Sequence, residues 1–197
     1  MKHKIIFASS NAGKIHELQS MLNVFEIEVI PQAQIGIDDA DETGLTFIEN
    51  ALLKARHACQ QSGKPAIADD SGLVVHALDG APGIYSARYA GKKSNASDNI
   101  EKLLQEMAGI PDDQRQAHFH CTLVYMEHAE DPAPLICEGI WHGTILHAPA
   151  GTDGFGYDPV FYDHNEQSSA AELSSARKNA ISHRGQALRA LIARLER

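Results

Sequence analysis

The 197-residue chain is short of basic residues: 17 Lys and Arg stand against 26 Asp and Glu, a formal net charge of −9. That shortage excludes a protein that coats a nucleic-acid polymer, because such binding rests on many Lys and Arg contacts to phosphate. It leaves room for a small anionic ligand, which needs only a local positive site. Long apolar runs are lacking as well. None approaches the roughly 18–20 residues of a membrane span, so no membrane partner is expected. Met1-Lys2-His3-Lys4 leads into Ile5-Ile6-Phe7, a run too short for a signal peptide and without a cleavage pattern behind it. Cysteine is scarce: Cys59, Cys121 and Cys137 are odd in number and form no Cys-x-x-Cys pair. A zinc knuckle or disulfide framework is thereby disfavoured, each thiol reads as a small buried apolar residue, and a cytoplasmic location is expected. Internal repeats, low-complexity tracts and linkers are absent. The length suits a single domain over 1–197, or two lobes sharing a core.

Histidine, in contrast, is plentiful, with 11 residues. His118 and His120 have the spacing that places two side chains on one strand face. No His-Glu-x-x-His motif exists, since His16-Glu17 is followed by Leu18, Gln19 and Ser20. The pair reads as a solvated or interface face ahead of a metal site.

The chain opens as strand, turn and helix. Lys4 to Ser9 is apolar, and Ser10-Asn11-Ala12-Gly13 is a turn. Ile15, Leu18, Met21 and Leu22 then fall at helical spacing. A strand over 27–30 precedes a polar, acidic loop over 32–44. Thr46 and Glu49 form a capping box for a helix that ends at Gly63. Two short strands, 65–68 and 73–78, are expected on either side of a turn at Asp69-Asp70-Ser71-Gly72. Further on come a loop over 80–91, a helix over 97–107, strands over 116–126 and 135–145, and a glycine-rich loop over 148–159. A short strand over 160–162, a short helix start over 170–173 and a long amphipathic helix from Ser182 to the end complete the pattern. A βα opening with later strands of antiparallel character predicts an α/β fold on a mixed sheet.

Four clusters could carry chemistry. Ser9, Ser10, Asn11, Ala12, Gly13 and Lys14 lie between a strand and a helix. There, free backbone N–H groups and the positive end of the helix dipole favour an anion. It is not a Walker A loop, because Ala8 stands where the first Gly belongs and Ile15 follows Lys14. It reads equally well as an ordinary capped helix start. At Asp69-Asp70, neighbouring strand positions point to opposite faces. One carboxylate is expected to reach a site, to hold Mg²⁺ or orient water, and the other to cap the turn. The acidic loop can supply a second oxygen ligand through Asp41-Glu42, while Asp38, Asp39 and Asp41 read as solvated. The run Gly151 to Pro159 presents Phe155, Gly156, Tyr157 and Asp158 in a loop able to meet a flat ring, or serves as a plain turn. Lys178, His183 and Arg184 place cations and donors near the start of the last helix, where acidic residues are the rule.

The ordered set is recognisable. It runs Ser9-x-Asn11-x-Gly13-Lys14, Glu42-Thr43-Gly44, Thr46-Phe47-x-Glu49-Asn50-Ala51-x-x-Lys54-Ala55 and Ala68-Asp69-Asp70-Ser71-Gly72-Leu73. Ala81-Pro82-Gly83-x-Tyr85-Ser86-Ala87-Arg88, Gly154-Phe155-Gly156-Tyr157-Asp158-Pro159 and Ser182-His183-Arg184 follow. Together they resemble the Ham1/RdgB family of inosine/xanthosine triphosphate pyrophosphatases, close to its bacterial branch, from about Lys4 to the final helix. The resemblance implies a mixed central sheet flanked by helices, in two lobes with a nucleotide-binding cleft between them. It implies a homodimeric, Mg²⁺-dependent hydrolase that takes ITP, dITP and XTP to the monophosphate and pyrophosphate, clearing them from the nucleotide pool. Asp70 and Lys14 would be catalytic, and Glu42 and Asp70 would hold the metal. Ser9 to Lys14, Lys54, Ser71, Phe155 to Asp158, Lys178, His183 and Arg184 would contact the nucleotide. Two positions depart from the bacterial pattern: Ser10 and Asp153 each stand where Gly is common.

Overall fold

The computed structural model describes residues 3–22 and 27–195. Its elements in chain order are β1 (His3–Phe7), α1 (Ala12–Leu22), β2 (Ile27–Pro31), α2 (Phe47–Ser62), β3 (Ala66–Val75) and α3 (Ala96–Glu106). These are followed by β4 (Gln116–Met126), β5 (Leu135–Ile145), β6 (Phe161–Asp163), β7 (Ser168–Ser169), α4 (Ser175–Ile181) and α5 (His183–Leu195). The strands form one seven-stranded sheet in the order β2-β1-β3-β4-β5-β6-β7. β1 is parallel to β2 and β3, whereas β6 is antiparallel to β5 and β7, so the sheet is mixed.

Local signals hold where they are strongest. Thr46 Oγ1 accepts the N–H of Glu49, and Gly63 ends α2 at φ 63°, donating its N–H to Cys59 O. The expected strands over 116–126 and 135–145 match β4 and β5. Two expectations are overturned: the strand expected over 73–78 gives way to a 3-10 turn over His76–Leu78, and Asp69 to Gly72 is not a turn. β3 runs straight through these residues, and Asp69 and Asp70 are buried in it. Polar residues signal a turn only when water is their best partner, and here buried cations are. β7 and α4 had no separate signal. The last helix begins at His183, Ser182 being the joint after α4, and its expected final residues 196–197 lie outside the described residues.

The chain folds as two compact units. The first comprises residues 1–70, 121–139 and 184–197; the second comprises 71–120 and 140–183. In the first unit, strand alternation sends Ile5, Phe7 and Ile67 against α1 and α5, onto Leu18, Leu22, Leu188 and Leu191. It sends Ile6, Ala8, Ala66 and Ala68 the other way, onto Ala51, Ala55 and Ala58 of α2. Small residues on both sides let α2 lie close to the sheet. In the second unit, Leu73, Val75, Phe119, Trp141 and Phe161 pack on Ile100, Leu103 and Met107, the apolar stripe of α3. The alternate positions of β4 and β5 in that unit face outward, with His142 exposed and His118 half-buried. Burial and the nearby His76, His142 and His120 hold His118 below the ordinary imidazole range.

Arg115 ties this second core together. It is buried, and its guanidinium donates to Ile145 O (2.7 Å), Met107 O (3.0 Å), Ile110 O (3.3 Å) and Leu146 O (3.0 Å). One side chain thus closes the end of α3 onto the end of β5. Replacing it by Met removes all four bonds, although Met107 O keeps the N–H of Ile110 (3.2 Å), and each bond to a charged group contributes about 1.5 kcal/mol or more. Arg115→Met should therefore cost about 3 kcal/mol and lower Tm by roughly 6–12 °C in a thermal melt.

Candidate active site

β1 is shorter than β3, and this difference in length leaves the carboxylates of the first unit beyond the end of β1. The last parallel pair is Phe7 with Ile67, and Ala8 N donates to Ile67 O (2.8 Å). β1 then turns away at Ser9 while β3 continues through Asp69 and Asp70. The carboxylates consequently stand beside the loop that opens α1. In that loop Asn11 N donates to Ser9 Oγ (3.2 Å), and Asn11 Oδ1 accepts the N–H of Lys14 (3.1 Å), capping the helix. Ala12 and Gly13 form its first turn, with their N–H groups at the positive end of the dipole. Ser10 Oγ donates to Asp39 Oδ2 (2.5 Å), and Gln32 Nε2 donates to Asp39 Oδ1 (2.5 Å). The Ser10 hydroxyl thus joins the loop to the acidic segment that carries Glu42, and Asp39 is tethered rather than simply solvated.

Opposite faces of β3 give the two aspartates different partners. Asp69 shares the face of Ile67, under α1 and α5. It forms one ion pair with Lys14 on α1 and another with Arg184 Nε on α5 (3.0 Å). Arg184 also pairs with Glu17, one turn along α1 from Lys14. Burial pushes the Asp69 carboxyl up, but Lys14, Arg184 and Lys54 outweigh it and hold the group well below the usual carboxylate range. Asp69 therefore caps no turn; it is the anion that positions two cations. Arg184, expected among the nucleotide contacts, lies buried on that anion.

Asp70 faces α2. Lys54 Nζ, itself nearly buried, donates to Asp70 Oδ1 (2.9 Å) and to Glu42 Oε1 (2.7 Å). Asp70 Oδ2 is buried and, among the described residues, has no hydrogen-bond partner. Burial raises the Asp70 carboxyl, and Lys54 and Lys14 offset this only in part. Lys54 is raised above the ordinary lysine range: burial lowers it, but Asp70, Glu42 and Asp69 win. Two hard oxygen donors with one oxygen left over suit a small hard cation that keeps several waters, rather than a closed cage. No group of three or more His, Cys, Asp or Glu stands ready for a metal among the described residues.

The second unit holds the glycine-rich loop. Asp158 is buried; its Oδ2 accepts the N–H of Phe155 (2.7 Å) and pairs with Lys178 Nζ (2.5 Å). The same ammonium lies over the Phe155 ring, 4.7 Å from its centroid. Tyr157 is buried and donates to Ser86 O (2.9 Å), and Ser86 Oγ accepts the N–H of Leu73 (2.9 Å). Gly156 has φ 62°. Ser71 is half-buried at the middle of β3, and Asp153 is exposed. The His183 ring is buried flat against Phe119, 4.8 Å between centroids at 11°. The motif at 151–159 thus presents a ring and an ammonium together, while the Phe119 and Trp141 platform behind His183 carried no signal of its own in the sequence.

Gly154 is obligatory in this arrangement. It has φ 78°, and a Cβ there would collide with the Asp158 carboxylate. Gly154→Ala should lose about 1–3 kcal/mol through backbone strain and a displaced Asp158. Differential scanning calorimetry of the purified variant would show the loss.

The chain is similar to known proteins over nearly all of its length. The Ham1 family model matches residues 5–194. The chain belongs to the Ham1 family. It is 59% identical over 189 residues to a dITP/XTP pyrophosphatase of Shigella flexneri, with 96% of each chain covered. It is 58% identical to the dITP/XTP pyrophosphatase of Escherichia coli K12 over the same share of each chain. Among solved structures, a HAM1 protein from Coxiella burnetii superposes with a TM-score of 0.91 at 50% identity, covering 98% of each chain. The mixed α/β sheet described above is the Ham1 fold. No helix among the described residues is long and apolar enough to cross a membrane.

Proposed function

We propose that this Ham1 protein hydrolyses non-standard purine nucleoside triphosphates, ITP, dITP and XTP, to the monophosphate and pyrophosphate. In this reading it is a Mg²⁺-dependent homodimer acting on the free nucleotide pool of the cytoplasm, with no polymer or membrane partner. The observation that carries the reading is Asp70: a buried carboxylate with one oxygen on Lys54 and, among the described residues, the other unpartnered, beside a helix start that carries Lys14. The dITP/XTP pyrophosphatase names of its relatives supply the substrate class.

Each residue then has a role set by its surroundings. The N–H groups of the Ser9 to Gly13 loop and the Lys14 ammonium hold phosphate oxygens and take up charge on the departing pyrophosphate. Glu42 and Asp70 would hold Mg²⁺, which when bound polarises phosphate oxygens and shields their charge. Lys54 keeps those two carboxylates close before substrate arrives, lowering their mutual repulsion. Asp70 orients the attacking water beside the ion it would hold. Asp69 and Arg184 act on the substrate through Lys14, which they hold in place. On the base side, Phe155 offers a stacking face, and Lys178 and His183 offer donors to a 6-keto purine. Adenine would present its amino group to those donors, a costly mismatch.

A triphosphate panel with separate detection of pyrophosphate and orthophosphate, with and without Mg²⁺, tests this directly. ITP and XTP should release pyrophosphate far faster than ATP or GTP, and only with the metal. Orthophosphate as the first product would overturn the bond assignment. Tight ITP binding without turnover in Mg²⁺ would make the protein a nucleotide sensor instead.

A further inference from the structure

The open face of the sheet in the second unit carries a cluster of imidazoles that the hydrolytic reading leaves unused. His76 follows β3 directly, His118 and His120 lie on β4, and His142 lies on β5. The His118 ring is 5.5 Å from His76, 5.7 Å from His142 and 6.5 Å from His120, centroid to centroid. The decisive distance is between ring nitrogens: His76 Nε2 and His118 Nδ1 are 3.3 Å apart. His76 and His142 are exposed and His118 is half-buried, so the cluster is open to solvent ions.

Two imidazole nitrogens bound at about 2.0–2.1 Å to one tetrahedral ion stand about 3.3–3.4 Å apart. The observed spacing therefore serves two states. In the metal-free protein one nitrogen carries a proton and the other accepts it. With an ion present, the donor ring changes tautomer, so that its proton moves to the far nitrogen and both near nitrogens offer lone pairs. The neutral rings then carry their protons on His76 Nδ1 and His118 Nε2, and no proton is left between them. Nitrogen donors of this kind select borderline transition ions over Mg²⁺ or Ca²⁺, which prefer oxygen.

We propose that His76 and His118 form a two-imidazole site for a borderline divalent transition ion such as Zn²⁺, with water and a rotated His142 ring completing its shell. No third ligand stands in position already, as the absence of any ready group of three ligands among the described residues requires. The site thus differs from a structural zinc centre: it is preformed in two ligands and recruits the third. The His118–His120 spacing alone favours a solvated face; the close approach of His76, 42 residues away in sequence, changes that reading.

The test uses the full-length, untagged protein, titrated with Zn²⁺ by calorimetry in a large excess of Mg²⁺ that keeps the carboxylates of Glu42 and Asp70 occupied. Saturable binding of one Zn²⁺ per chain is expected. His76→Gln and His118→Gln should each weaken it at least roughly tenfold, about 1.4 kcal/mol. His142→Gln should weaken it by a smaller factor. Binding unchanged in both His76→Gln and His118→Gln, or no saturable Zn²⁺ binding by the wild type, would overturn the site. Metal-free melting curves establish that the variants fold. If His118→Gln does not fold, His76→Gln decides alone, because His76 is exposed and leaves the core intact.

Discussion

Asp70→Asn should lower kcat/KM for ITP by roughly a hundredfold or more, about 2.7 kcal/mol of transition-state stabilisation. Asn keeps the shape and an acceptor for Lys54, but it removes the charge a metal ion would bind and the lone pair that would orient water. The same change should move Tm far less than the substitution of Asp69 does. Burial raises the Asp70 carboxyl in the fold despite Lys54 and Lys14, so an uncharged side chain avoids the cost of ionisation as pH climbs through the raised value. Against that gain, Lys54 loses the charge that raises it most, though Glu42 still accepts from it. A large loss of activity with little change in Tm is the signature of a functional carboxylate. A near-wild-type rate, or a loss of rate that merely tracks a falling Tm, would remove Asp70 from the chemistry.

Asp69→Asn should behave in the opposite way, although the residue is its immediate neighbour. It should cost about 3–5 kcal/mol, the usual penalty for removing one partner of a buried ion pair. The reason is Arg184: its side chain is 2% exposed and would lose the Asp69 carboxylate while still paired with Glu17. A chain of this size loses about 2–4 °C per kcal/mol, so Tm should fall by roughly 6–20 °C. Lys14 would lose its anchor too, and kcat/KM should fall with it. Because the folded Asp69 lies well below the ordinary carboxylate range, its contribution is fully present above the unfolded value near 3.8 and is lost only as pH falls toward the folded one. Melting curves of wild type and variant should stay equally far apart from pH 7 down to about 3.8, and begin to converge only below it. A variant with wild-type Tm at neutral pH would show that the pair contributes nothing net.

These contrasting outcomes show what could be read without a structure. The period of a strand places adjacent aspartates on opposite faces, and that much follows from Asp69-Asp70 alone. The capping box at Thr46 and Glu49, the glycine end of α2 and the two long strands are also local, and each matches the fold. The turn expected at Asp69 to Gly72 failed because its polar residues are solvated by distant cations rather than by water. Glu17 gave a faint signal, one helical turn from Lys14 and so on the same face of α1. Arg184 was legible as a cation at a helix start, but its commitment to Asp69 was not.

What the sequence by itself determined is the inventory and its order: an acidic protein with a few cations set in Ham1 motifs, on alternating strands and helices. Those motifs are short and contiguous, so their chemistry is written in neighbouring residues. Only the tertiary structure decided the pairings. Arg184 meets Asp69 across 115 residues, Lys54 meets Asp70 across 16, and His76 meets His118 across 42. A strand's pleat sets which way a carboxylate points, but the helix that packs on that face sets which cation it finds. That packing is chosen by apolar side chains elsewhere in the chain, the Leu18, Leu188 and Leu191 layer on one side and the Ala51, Ala55 and Ala58 layer on the other. The two aspartates differ for this reason, one made a structural anchor and the other left with an open oxygen.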